Sequence, residues 1–276
     1  VRRLLLFALL AVLLYAGYVI WGLPSHAEVS ALATKNPGKT GVMRQREQEA
    51  LAARRQPRTT QVSIPISRIS RNLIQAVIAS EDEKFFGHEG VDWDAIKESL
   101  EKDIAKRRFA VGGSTITQQL AKNLFFSTRK SVTRKLRELV VTRWLEAELS
   151  KKRILELYLN VIEWGDGVYG VEAAARRYYG KSASELSEDE AAGLAAMIPN
   201  PRRINPKVSP ALFARAKRRV EWLMTRAGYL KGEAARLGAE PPPVAMPEEE
   251  SGAELIESDA PGTPETSVTP HGGASR

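Results

Sequence analysis

The chain has 276 residues, 43% of them apolar, a length that buries one substantial core or one core with a smaller lobe and excludes a small stapled module. Net charge is +8 but unevenly spread: eight acids against one arginine give residues 240–276 a charge of −7 and leave +15 on residues 1–239, a surplus that implies an anionic partner. The absence of cysteine excludes disulfides, thiolate chemistry and cysteine-ligated zinc, and three scattered histidines, His26, His88 and His271, offer no histidine-rich metal site.

Residues Leu4 to Leu23 carry no charge and follow Arg2 and Arg3, which predicts one membrane-spanning helix. A cleaved signal peptide competes with this, since Ser25-His26-Ala27 imitates a small-x-small site, but a secretory apolar core runs to about 7–15 residues and this one is longer. Arg2 and Arg3 predict that residues 1–3 stay in the cytoplasm and the body lies outside, with Tyr15, Tyr18 and Trp21 near the outer interface. Residues 24–62 are polar and basic with little periodicity, and are expected to be a stem or linker with a turn at Asn36-Pro37-Gly38-Lys39.

The folded body is expected over residues 63–232. Ser63 to Ile66 read as a short extended stretch, and Ser70 caps a helix with Leu73, Ile74, Val77 and Ile78 at helical spacing. Glu81 falls four after Val77 and eight after Leu73, on the same stripe. A carboxylate there is partly desolvated, so its pKa rises and it suits general base or general acid work. On helical phase alone, a surface ion pair that ends the helix is the competing reading.

Asp92 is expected to cap a helix with Trp93, Ile96, Leu100 and Ile104 on one face, ending in Lys106-Arg107-Arg108. Gly112-Gly113 then lead into Ser114-Thr115-Ile116-Thr117-Gln118-Gln119, where Thr115 and Gln118 fit a capping box. The box leaves Gln119, Lys122 and Asn123 unexplained, and a helix start with hydroxyls and a lysine also suits an anionic oxygen. Leu124-Phe125-Phe126 beside Arg129, Lys130, Arg134 and Lys135 fits a lipid with a phosphate head, as well as core packing next to a solvated charged face. In the next helix Glu138 lies three after Lys135 and four after Arg134, the spacing of a salt-bridge stripe. Ser150 caps a helix through Ile154, Leu155, Leu157, Tyr158 and Val161, and Trp164 to Gly170 read as a glycine-rich turn. Further helices run from Glu172 to Tyr179, stopped by Gly180; from a Ser187/Glu190 capping box; and from Ser209 and Pro210 to Gly228. Strand-like alternation is sparse, so the fold class is mainly α. Residues 233–276, rich in Pro, Glu, Gly, Ser and Thr, are expected to be a disordered acidic tail.

In order, Glu81-Asp82 with Phe85, His88 and Gly90; Gly113 to Gln119 with Lys122-Asn123; Arg134-Lys135 with Glu138; and Arg153 to Asn160 resemble the peptidoglycan glycosyltransferases, especially the monofunctional biosynthetic transglycosylases. The resemblance runs from Pro65 to Arg226. It implies a lysozyme-like helical domain with a small membrane-facing lobe, preceded by the transmembrane helix, and an activity that polymerises lipid II. By the same resemblance Glu81 is the base on the acceptor 4-hydroxyl, attack inverts the anomeric carbon, and undecaprenyl pyrophosphate leaves. Lys122, Arg129, Arg134 and Lys135 are then the cations around the pyrophosphate, Glu138 orients them or assists the leaving group, and Ser114, Thr115 and Gln118 line the sugar cleft. Asp82, Phe85 and His88 support the motif, and a divalent cation such as magnesium is admitted beside the pyrophosphate. The implied partners are lipid II, the growing lipid-linked glycan, membrane lipids and other cell-wall synthesis or division proteins, at the extracytoplasmic face of the bacterial inner membrane. Nucleic acid is not expected, because the predicted topology puts the basic body outside the cytoplasm. Two alternatives stand: a lysozyme-like lytic enzyme with Glu81 as acid, whose substrate leaves the basic cluster without a task, and a non-catalytic membrane-anchored cell-wall scaffold.

Overall fold

The computed structural model describes residues 1–97 and 113–230. The expected positions of Leu100, Ile104 and Lys106-Arg107-Arg108, and the tail expected over 233–276, lie outside the described residues. Helices dominate: α1 (Arg2–Trp21), α2 (His26–Ala31), α3 (Gly41–Ala52), α4 (Arg71–Glu81), α5 (Ile116–Phe125), α6 (Val132–Glu148), α7 (Lys151–Val161), α8 (Val171–Tyr179), α9 (Glu188–Met197) and α10 (Pro210–Arg226). Residues 93–97 are also helical, and the Ala95 N–H donates to the Asp92 carboxylate at 2.9 Å, the expected cap.

The helix starts obey the hydroxyl signals in the sequence. Ser70, Ser150 and Ser187 each accept a bond from a first-turn amide, satisfying a donor that the helix itself leaves unpaired. At Ser187 the Glu190 side chain completes the reciprocal box, whereas Ser209 begins α10 without a side-chain bond and relies on Pro210 at the first position. Gly180 stops α8 with φ of 68°, in the left-handed region.

Two packing centres fix the ends of α4 and α5. Leu73, Ala76 and Val77 of α4 are fully buried, with α4 against α9 and α10. Ile116, Leu120 and Ala121 of α5 are equally buried, with α5 against α6 and α7. Each large side chain so buried stabilises the fold by about 1.5–3 kcal/mol, enough for these helices to hold their ends rigidly.

The stretch 24–62 departs from the expected stem. It contributes α2 and α3, whose Val29, Val42 and Met43 are buried, with α2 against α6 and α3 against α5. Each helix buries only one or two apolar side chains, too few to show a period, so its docking is invisible to pattern reading. The glycine-rich stretch after α7 is also more than a turn. β2 (Glu163–Gly165) and β3 (Val168–Tyr169) pair as an antiparallel hairpin, and β1 (Thr60–Gln61) joins β3 in parallel, giving the order β1-β3-β2.

Helix α1 has no buried residue, and at 20 residues it spans about 30 Å. Among the described residues it is the helix long and apolar enough to cross a bilayer. Its last turn is held by α6: the Arg137 guanidinium donates to the Tyr18 and Val19 carbonyls at 2.6 and 3.0 Å and lies 4.9 Å from the Tyr18 ring. These carbonyls have no partner within the helix, so Arg137 supplies what a C-terminal cap would.

Candidate active site

Glu81 is the last residue of α4 and sits half-buried in a cleft of about 230 Å³, where Ser80, Asp92, Gly113 and Ser114 also line the wall. Gln119 on α5 donates from its amide nitrogen to a Glu81 oxygen at 2.8 Å. The amide is oriented in turn by the Tyr158 hydroxyl on α7, which donates to the Gln119 oxygen at 3.1 Å. Burial pushes the Glu81 carboxyl above its ordinary value; the Gln119 bond and the charges of Lys122 and Arg219 pull it back, while Asp82 adds to the rise. The phenol of Tyr158, buried near Glu81 and Asp82, is pushed well up and stays a proton donor.

Asp82 is buried and does structural work beside that carboxylate. Its own carboxylate accepts from His88 Nε2 at 2.9 Å and from the Ile116 N–H, the first amide of α5, at 3.0 Å. The Gly90 N–H donates to His88 Nδ1 at 3.0 Å, which fixes the proton of a neutral ring on Nε2. Thr115 closes the loop, donating to the Gly90 carbonyl at 2.7 Å while its oxygen caps α5. Phe85 is fully buried with the Lys151 ammonium 4.6 Å from its ring centre.

Gly90 itself has φ of 85°, and a Cβ there would lie 2.7 Å from Thr142 Cγ2 and 2.8 Å from Glu146 Cγ. Gly90→Ala is therefore expected to destabilise the protein by about 1–3 kcal/mol and to loosen the Asp82–His88 loop. Urea unfolding measures it; a variant as stable as wild type would show that the loop tolerates another conformation.

Across the cleft, α6 carries the cationic cluster. Glu138 is 2% exposed and both its oxygens are engaged, one by Arg134 at 2.5 Å and the other by Lys135 at 2.6 Å. The Lys135 ammonium also donates to Ser114 at 3.1 Å and to the Gln118 side chain at 2.9 Å, so its three protons are all committed. Only half of the box expected at α5 forms, because the Gln118 side chain turns to Lys135 instead of back to the cap. Lys122 differs from Lys135. It is half-buried on α5, within electrostatic reach of both Glu81 and Glu138, and makes no hydrogen bond or ion pair among the described residues. Burial lowers its pKa, and Glu138 opposes that.

The structure thus gathers Glu81, Ser114, Lys122, Arg134, Lys135 and Glu138 around one region. Thr115, only 3% exposed, also lines the cleft, while Gln118 lies behind it at 2% exposure. Arg129 is exposed and enters through its carbonyl, which accepts from Arg134 Nε at 2.8 Å. Sequence reasoning missed the roles of Gln119, Tyr158 and Arg219. The available signal was chemical: a phenol in the apolar stripe of α7 needs a buried partner. Among the described residues no three His, Asp or Glu side chains gather as a metal cage. Since both Glu138 oxygens already hold cations, a divalent ion there would have to displace Arg134 or Lys135.

A family model described as a transglycosylase matches residues 47–227. A biosynthetic peptidoglycan transglycosylase of Azoarcus sp. (strain BH72) is 47% identical over 211 residues, covering 75% of this chain and 91% of that protein. Its namesake from Herminiimonas arsenicoxydans is 48% identical over 193 residues, 70% of this chain and 82% of that protein. Another, from Methylobacillus flagellatus, is 60% identical over 139 residues, 50% of this chain and 61% of that protein. The match to the family begins inside α3, in the stretch expected to be a stem.

Proposed function

This chain belongs to the transglycosylase family, and from that premise we propose that it is a peptidoglycan transglycosylase that polymerises lipid II into glycan strands at the outer face of the bacterial inner membrane, anchored by α1. The observation that carries the reading is the pairing of a desolvated carboxylate, Glu81, with a cationic cluster that meets its cleft at Ser114 and reaches the carboxylate electrostatically from Lys122.

In this reaction Glu81 takes the proton of the acceptor sugar's 4-hydroxyl. The freed oxygen bonds to the anomeric carbon of the growing, lipid-linked glycan as the bond from that carbon to the pyrophosphate oxygen breaks. Configuration inverts, undecaprenyl pyrophosphate departs with the bonding electron pair, and Glu81 returns its proton to water. The leaving group is a stable anion that needs no proton, so the carboxylate serves as base rather than acid. Negative charge grows on the pyrophosphate in the transition state, and preorganised cations stabilise it more there than in the ground state. Lys122 has donors to spare for that task. Lys135 and Arg134, locked by Glu138, contribute a fixed positive field and hold Ser114 and Gln118 in place. Glu138 accordingly orients cations and transfers no proton, since its oxygens are both occupied.

The orientation rests on Arg2 and Arg3 on the cytoplasmic side, with the Arg137 contacts keeping α6 beside the outer end of α1. Incubating the full chain in detergent with lipid II should give polymer, and incubating it with preformed glycan should give no fragments. Fragments without polymer would move the assignment to a lytic enzyme, and neither product would leave a scaffold.

A further inference from the structure

A cavity of about 430 Å³ opens between α3, the loop after it and the β2–β3 hairpin, and it shares no lining residue with the Glu81 cleft. Four guanidiniums line it, from Arg46, Arg55, Arg58 and Arg202, against the two carboxylates of Glu49 and Asp166. Arg46 is tied to Glu163 at 3.0 Å and Glu49 at 2.8 Å, and Arg202 reaches Asp166 at 3.3 Å and Glu49 at 3.7 Å. Arg55 and Arg58 make no side-chain hydrogen bond or ion pair among the described residues. Arg55 and Arg58 are thus the unpaired cations of the wall, and four guanidiniums against Glu49, Asp166 and Glu163 leave the cluster net positive.

The backbone holds them there. Arg54 adopts φ of 52°, turning the chain after α3, and Thr60 N–H bonds to the Gly167 carbonyl at 2.8 Å. Gly167, at φ of 71°, lets the hairpin close on this segment; a Cβ would lie 2.6 Å from the Arg58 carbonyl oxygen. The polar network behind the wall is also incomplete. Glu163 and Tyr169 are 7% and 1% exposed, and Glu163 Oε1 and the Tyr169 hydroxyl have no hydrogen-bond partner.

We propose that this cavity is a second anion site, taking a phosphoryl group, apart from the reaction cleft. The cations are all arginine, whose planar forks match phosphate oxygens in pairs, and none is the point charge of a lysine. The bound anion would join α3, residues 54–58, the hairpin and the Arg202 segment, so occupancy stabilises the folded chain in proportion to ligand concentration. The inference does not rest on the proposed reaction.

Calorimetric titration of the full chain in neutral detergent with inorganic pyrophosphate tests it, comparing wild type, Arg55→Ala/Arg58→Ala and Lys122→Met. Wild type should show two sites, and each variant should lose a different one, with affinity at the lost site down by at least about tenfold. Both arginines are exposed, so the double variant should keep the wild-type melting temperature without ligand. If Lys122→Met titrates like wild type while the arginine pair loses a site, the reading of the cleft fails and the cavity stands. Titration with short-chain phosphatidylglycerol separates the sources: heat abolished by the arginine pair marks a lipid headgroup, and pocket binding of pyrophosphate alone marks a free phosphoryl compound. A double variant that binds pyrophosphate with wild-type stoichiometry and affinity overturns the proposal, as does a wild type that binds none.

Discussion

Glu81→Gln is expected to lower lipid II polymerisation by about 10²- to 10⁴-fold, the range for losing a positioned general base. The substitution keeps the shape and removes only the ionisable group, so the Gln119 contact survives in altered polarity and the cationic cluster is untouched. Stability should move the other way. Burial holds the folded-state pKa of Glu81 above its unfolded value, so its contribution to stability is present in full below the unfolded pKa and is lost as pH rises through the folded one. Above that folded-state pKa the ionised carboxylate is a burden on the fold, and replacing it with a neutral amide should leave the variant at least as stable as wild type. A dead, equally stable enzyme that still binds lipid II is the signature of a base. Substantial polymer from Glu81→Gln would remove Glu81 from the reaction, and a dead but unfolded variant would show instead that the carboxylate is structural.

Helical phase is what made this carboxylate visible before the fold. Leu73, Val77 and Glu81 lie on one face, and burial of that face against α9 and α10 carries the carboxylate into the interior. The spacing of Arg134, Lys135 and Glu138 was equally legible because it lies within one helix. What pattern could not give is which partner each cation meets across helices. The three acceptors of Lys135 come from the segment before α5, from α5 and from α6, and the Tyr158–Gln119–Glu81 line crosses three helices. The docked helices at 24–62 were missed for a related reason: Val29, Val42 and Met43 are meaningful only against the surfaces of α5 and α6. The resemblance named Lys122, Arg134 and Lys135 as pyrophosphate cations without distinguishing them, while the geometry separates Lys122, with its donors uncommitted, from Lys135, whose donors are all used.

That separation sets the second expected result. Lys122→Met should lower kcat by about 10²–10³-fold, the loss seen when one preorganised donor to a developing anion is removed, with little change in stability because no protein partner is orphaned. Lys135→Met should also lower activity but should destabilise the fold, since it strands Glu138 beside a single cation and breaks the bonds to Ser114 and Gln118. The pH profile separates them further. Under the proposed reaction activity needs Glu81 ionised and Lys122 protonated; burial raises the first pKa above its ordinary value and lowers the second below its own. The bell in kcat/KM is therefore narrowed from both sides, its acid limb set by Glu81 and its alkaline limb by Lys122. Lys122→Arg keeps a charge that does not titrate in this range, so it should retain part of the activity while its alkaline limb moves to higher pH. An alkaline limb unchanged in Lys122→Arg, or a Lys122→Met enzyme with wild-type kcat, would return the leaving-group role to Lys135 and Arg134 and require Lys135 to release one of its three partners during turnover.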